Sequence, residues 1–202
     1  MADELRRSLS GIVSDLWGTP SPAEATVPDA SPAPAFPPFA QLWSAVDETV
    51  DWTEALVHDT PTDALTSPEK WALYRRYAPQ VLEGDPKAYL AVLKAVDPLQ
   101  DLTPWADKFD VACVDADALR VIFTAMPALY RREGRRYIAG MSLRIARDLL
   151  ALLPLLRVEV TAQCEGSERM HVTFERSELQ KVRFSFIDPV DFCAQCGAVF
   201  TE

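Results

Sequence analysis

The apolar positions of this chain change their period twice, and the changes divide it into parts. Over residues 3–17, Leu5, Leu9, Ile12, Val13 and Leu16 recur at steps of three and four, which lays an apolar stripe along one side of a short helix. Residues 19–38 then carry seven of the sixteen prolines among Ala and Ser, with no large apolar side chain before Phe36. Such a stretch favours extended polyproline geometry and cannot build a core. Residues 1–18 therefore read as an amphipathic helical arm, 19–38 as a linker and 39–202 as a single domain.

From Phe39 to about Met126 the pattern is helical and punctuated by proline. Phe39, Leu42, Trp43, Val46 and Val50 share one helical face. Ser67-Pro68-Glu69 and Asp85-Pro86 mark the next two starts, since an oxygen-bearing cap precedes a proline whose missing N–H is harmless in a first turn. Asp97-Pro98 and Thr103-Pro104 predict single turns. Residues 109–114, FDVACV, fit either a short buried strand or an extended lead into a helix capped by Asp115. Residues 135–153 set Ile138, Met141, Ile145, Leu149 and Leu152 on one face of a long core helix that ends before Pro154.

Past Pro154 the period falls to two. Val158, Val160, Ala162 and Cys164 alternate with polar residues, as do Met170, Val172 and Phe174, and then Val182, Phe184 and Phe186. Three strands are predicted, at about 157–164, 170–176 and 181–187, in a mostly antiparallel sheet with one face covered by helices. Ser177 to Gln180 fits a capping box for one helical turn between the second and third strands, and Asp188-Pro189 opens a short last helix that Gly197 ends. The fold class is α+β, mainly helical in its N-terminal two-thirds.

Composition narrows the setting. With 49% hydrophobic and 25% charged residues, the 202-residue chain is in the range of soluble globular proteins and is long enough for one substantial core. No apolar run reaches the ~18 to 20 residues a membrane helix requires. The first residues hold two acids before any arginine and lack the apolar centre of a secretory signal, and four cysteines suit free thiols in a reducing compartment. A cytoplasmic location with no membrane contact is the expectation. The net charge of −10 argues against nucleic-acid binding, although residues 131–157 are locally basic, with seven Arg against two acids.

Three clusters carry candidate chemistry. Cys193 and Cys196 form half of a zinc knuckle, with Gly197 placed for the turn, but no second C-x-x-C completes it. If Val160 faces Phe174 across a hairpin, Cys164 falls on the core face and His171 on the other, so one hairpin cannot supply both. A redox pair wants its first thiol at a helix N-terminus, and here the helix opens four residues earlier. The favoured reading packs both thiols inward as small apolar groups, with no metal and no cofactor. On a continuous helix, Arg132, Arg136, Gly140, Arg144 and Arg147 form a basic stripe able to follow a phosphate backbone, unless Gly134 separates two helices. Asp115 and Asp117, with Asp110 nearby, are the best carboxylate pair for an enzyme, and capping explains Asp115 equally well.

No nucleophile elbow, phosphate loop, dinucleotide fingerprint or zinc-protease motif is present, and two histidines leave general acid-base chemistry few carriers. The leading expectation is a non-enzymatic interaction or regulatory module. It would contact a protein partner, or a second copy, through Leu5, Leu9, Ile12 and Leu16 of the arm, with Arg132, Arg136, Arg144 and Arg147 as a second patch. The rivals are a nucleic-acid-contacting module using those arginines and an enzyme using Asp115 and Asp117.

Overall fold

A computed structural model of the chain describes residues 42–44, 49–61 and 66–201. The chain divides into Met1–Ala35 and Phe36–Glu202, and every described residue belongs to the second unit. The arm residues Leu5, Leu9, Ile12 and Leu16 lie outside the described residues.

Three helices open the described unit, and local chemistry starts each one. Asp51 caps α1 (Trp52–Val57) by accepting from the Thr53 and Glu54 amides at 2.9 Å. This cap, in extended conformation, interrupts the continuous helical face expected from Phe39 onward. Ser67 caps α2 (Pro68–Leu82) and Asp85 caps α3 (Pro86–Val96), each with proline in the first turn as the sequence indicates. Gly84 joins α2 to α3 at φ +77°, and a Cβ there would stand 3.0 Å from the Cβ of Ala116, so both backbone and packing call for glycine.

A single 3-10 turn, Gln100–Leu102, then leads into β1 (Ala106–Asp115) and β2 (Ala118–Ala125). Helices α4 (Pro127–Glu133) and α5 (Arg135–Leu152) carry the chain to β3 (Arg157–Cys164) and β4 (Ser167–Glu175). After α6 (Arg176–Leu179), a 3-10 turn at Phe184–Phe186 and α7 (Pro189–Gln195), the two-residue β5 (Val199–Phe200) closes the fold.

The sheet has five strands in the order β1-β2-β3-β4-β5 and is mixed: β2 and β3 run parallel, the other neighbours antiparallel. The α+β class stands, but the three-stranded antiparallel sheet is corrected in two places. Residues 106–125 form a hairpin, so no helix starts at Asp115. Residues 181–187 are not a strand: α6 turns the chain out of the sheet, Phe184 packs on Arg147, and the place beside β4 goes to β5. Alternation over so short a stretch does not make a strand: Val182 and Phe184 are half-buried against the core, whereas Phe186 is 84% exposed.

Register explains the core. Val111, Val121, Val160 and Val172 stand side by side across four strands, and Phe109, Phe123, Ala162, Met170 and Phe200 make the neighbouring row. Val160 therefore faces Val172 rather than Phe174, although Cys164 and His171 still fall on opposite faces. On the inner face α5 packs against β3 and β4, α3 against β1, and α7 against α5. Fourteen residues of α5 are buried, which makes it the central element. The outer face carries Arg120, Ile122, Glu159, Thr161, His171 and Thr173, tied by an Arg120–Glu159 ion pair at 2.8 Å and a Thr161–His171 hydrogen bond at 3.0 Å. No helix among the described residues is long and apolar enough to cross a membrane.

Candidate interaction surface

The structure distributes the predicted site residues rather than gathering them. The basic stripe needs one helix, but Gly134, at φ +59° and ψ −137°, separates α4 from α5. Arg132, on α4, pairs with its neighbour Glu133, and Arg136 lies over the Trp43 ring at 5.4 Å. Arg144 points into the protein, with Nε donating to Asp148 at 2.6 Å and a terminal nitrogen to Asp101 at 2.9 Å. Arg147 donates to the Trp43 carbonyl and stacks on Phe184, its carbon centre 3.6 Å from the ring centroid. Burial, and secondarily the nearby Arg144, pulls its pKa down to about 10 against the opposing pull of Asp148. The spacing of these arginines on α5 was legible; that two of them face other parts of the protein was not.

Asp115 and Asp117 belong to the β1–β2 turn. One Asp115 oxygen accepts from the Asp117 amide at 2.8 Å and the other pairs with Arg157 at 2.6 Å, while the Asp117 carbonyl receives the Leu156 and Arg157 amides. This polar knot fastens the hairpin tip to the start of β3. Asp110 stands apart on β1, paired with Lys108.

The two C-terminal thiols look in different directions. Cys193 is buried between α7 and α5 with its sulfur 3.8 Å from the Ala139 carbonyl, and burial drives its pKa far up. Cys196 is half-buried beside Glu178, and burial together with that carboxylate raises it to about 11. Burial favours the neutral thiol at both positions. Among the described residues no group of three His, Cys, Asp or Glu side chains is placed to hold a metal.

Among the described residues, what is left open is the rim of the sheet. β1 is an edge strand of ten residues, and no described strand pairs with its outer side. Register shifts fall between Ala106 and Lys108 and between Cys113 and Asp115, so residues 108–113 form a regular central rail between two irregular ends. Lys108 and Asp110 stand on its outer face, exposed, and make an ion pair at 2.8 Å. Its inner face shows Phe109 and Val111, both half-buried, beside a cavity of about 400 Å³ lined also by Leu93, Leu99 and Leu149. An unpaired edge presents amides and carbonyls in strand geometry, which another extended chain can satisfy. The sequence offered only a weak sign of this rail, because FDVACV reads equally as a lead into a helix.

Comparison of the chain with protein-family models, curated proteins and solved structures found no match. The geometry of this chain alone carries the functional reading.

Proposed function

We propose that this chain is a non-enzymatic interaction module that docks by strand addition along β1. The observation that carries the reading is the edge at residues 108–113, unpaired among the described strands, regular between its two register shifts and carrying half-buried Phe109 and Val111. Backbone pairing along such a rail supplies affinity, and the cavity beside Phe109 supplies a pocket for an alternate side chain of the incoming strand. The amphipathic segment 1–18, on its proline-rich tether, is proposed as a second contact toward a protein partner. Four free thiols fit a cytoplasmic setting.

Residue-resolved hydrogen exchange on the dilute chain tests the availability of the rail. Alternate amides of residues 108–113 should exchange quickly while those of β2 and β3 stay protected. Peptides selected from a random displayed library should protect that same set on binding. Uniform protection of β1 in the dilute chain, or selected peptides that protect some other surface, would overturn the reading.

A further inference from the structure

We propose that the strand received by β1 is β1 of a second copy, in an antiparallel register centred on Phe109. The inference rests on the open-edge reading and names its occupant. Two copies joined edge to edge across a two-fold axis normal to the sheet keep their helix-covered faces on the same side. Facing residues must then point to the same face, so their numbers share parity and the register is centred on a residue rather than between two.

Few centres lie within the regular rail, and charge separates them. Centred on Lys108 or on Asp110, the pairing sets two like charges against each other. Centred on Val111, Ala112 or Cys113, it sets Asp110 against Ala112, Val114 or Ala116 and Lys108 against Val114, Ala116 or Ala118, with no ionic partner for either. Centred on Phe109, it sets Lys108 of each copy against Asp110 of the other, twice over, on the outer face. On the inner face the same register brings Phe109 against its own copy beside Phe123, whose ring centroid is already 6.5 Å away. Opposite charges and aromatic pairs directly across strands are the favourable cross-strand combinations, and like charges the unfavourable ones.

The pattern also accounts for two charges on an edge that would otherwise serve only to repel strands. Scattered charge protects an edge against indiscriminate pairing. A Lys and an Asp two residues apart do so while remaining complementary to their own antiparallel image. Inside the regular rail this register pairs Lys108, Phe109 and Asp110 of one copy with Asp110, Phe109 and Lys108 of the other, three rungs in all, so the dimer is a weak, reversible one, and it prolongs one five-stranded sheet into a ten-stranded one.

The test uses the full chain and four proteins: wild type, Lys108→Asp, Asp110→Lys and the double exchange. Sedimentation velocity from about 1 μM to about 1 mM spans the affinities such a contact reaches. Wild type should dimerise. Each single reversal, acting at both symmetric rungs, should weaken dimerisation by about tenfold or more, and the double exchange should restore it to within about threefold. Mixing the two single variants should give a heterodimer, because one chain then carries an acid at both positions and the other a lysine at both. A variant that had merely misfolded, or whose residues acted only within their own strand, would not recover on mixing. Wild type that stays monomeric throughout, or a dimer indifferent to all three variants, overturns the proposal. Hydrogen exchange separates that failure from the broader one: fast exchange along 108–113 in a monomer leaves strand addition standing with another occupant, and protection there removes both.

Discussion

Asp148 offers the sharpest test of how this core is held. It has no solvent exposure, and its carboxylate receives the Arg144 Nε–H at 2.6 Å one helical turn away on α5. The Arg144 side chain is itself 5% exposed and reaches outward to Asp101, which is 55% exposed. Replacing Asp148 by Ala leaves a guanidinium in the core without its buried counter-charge. Breaking a buried pair from one side costs about 3–5 kcal/mol, because the remaining charge keeps its desolvation penalty and loses its compensation. At about 2–4 °C per kcal/mol for a domain of this size, Asp148→Ala should lower Tm by roughly 6–20 °C. Asp101→Asn should cost less than about 1 kcal/mol, since an exposed partner is screened by water. The double variant Arg144→Met, Asp148→Leu should recover most of the loss, because an apolar replacement carries no desolvation penalty. Urea unfolding with an unchanged m-value is the assay. A loss below about 1 kcal/mol for Asp148→Ala, or a double variant no better than the single one, would refute the reasoning.

Arg176 donates to the carbonyls of Leu150, Leu153 and Leu155 at 2.6–2.7 Å, closing the C-terminal end of α5, and Arg176→Met should destabilise by about 2–4 kcal/mol in the same assay. Gly134 has a conformation that side-chain-bearing residues rarely adopt, so Gly134→Ala should cost about 1–3 kcal/mol although nothing crowds the position. Burial first, then Glu178, holds the Cys196 thiol at about 11 in the folded chain against about 9 unfolded, and Cys193 is raised further. The unfolded chain therefore loses these protons first, and stability that is intact below pH 9 should fall as the pH rises through 9 to 11, less steeply in Cys193→Ala, Cys196→Ala, as urea midpoints across pH will show. Elemental analysis of the purified protein should find well under one equivalent of zinc per chain, since the two thiols face Ala139 and Glu178 rather than each other.

How far the fold could be read in advance depended on where each element sits. α5 was legible because it is long, strictly periodic and bounded by Pro154. β3 and β4 were legible because only one of their faces is buried, which imprints alternation on them. β2 lies between an antiparallel and a parallel neighbour and carries Ala118, Leu119, Val121, Ile122, Phe123 and Ala125, a nearly continuous apolar run in which the period of two is lost. The segment 181–187 failed for the opposite reason, showing alternation without a strand. At the candidate surface, an open edge is a property of strand order, and strand order depends on pairings between residues far apart. Nothing around Lys108 and Asp110 in the sequence marks β1 as the outermost of the described strands. Arg144 likewise looks like any surface arginine until Asp101, 43 residues earlier, and the buried Asp148 are placed beside it.

The single parallel pairing, between β2 and β3, bears on how the chain reaches its native state. Each flanking hairpin, β1–β2 and β3–β4, closes through a short turn and pairs residues near each other in sequence. The pairing that unites them waits for residues 126–156 to fold as α4 and α5, since distant strands meet only after the intervening chain is ordered. Until then β2, mostly apolar, and β3, apolar at alternate positions, each expose a bare edge, and these edges are complementary between molecules as well as within one. Refolding at high concentration therefore favours chains that exchange halves, β2 of one taking β3 of another, with the break at Gly134 as the natural place for the connection to open.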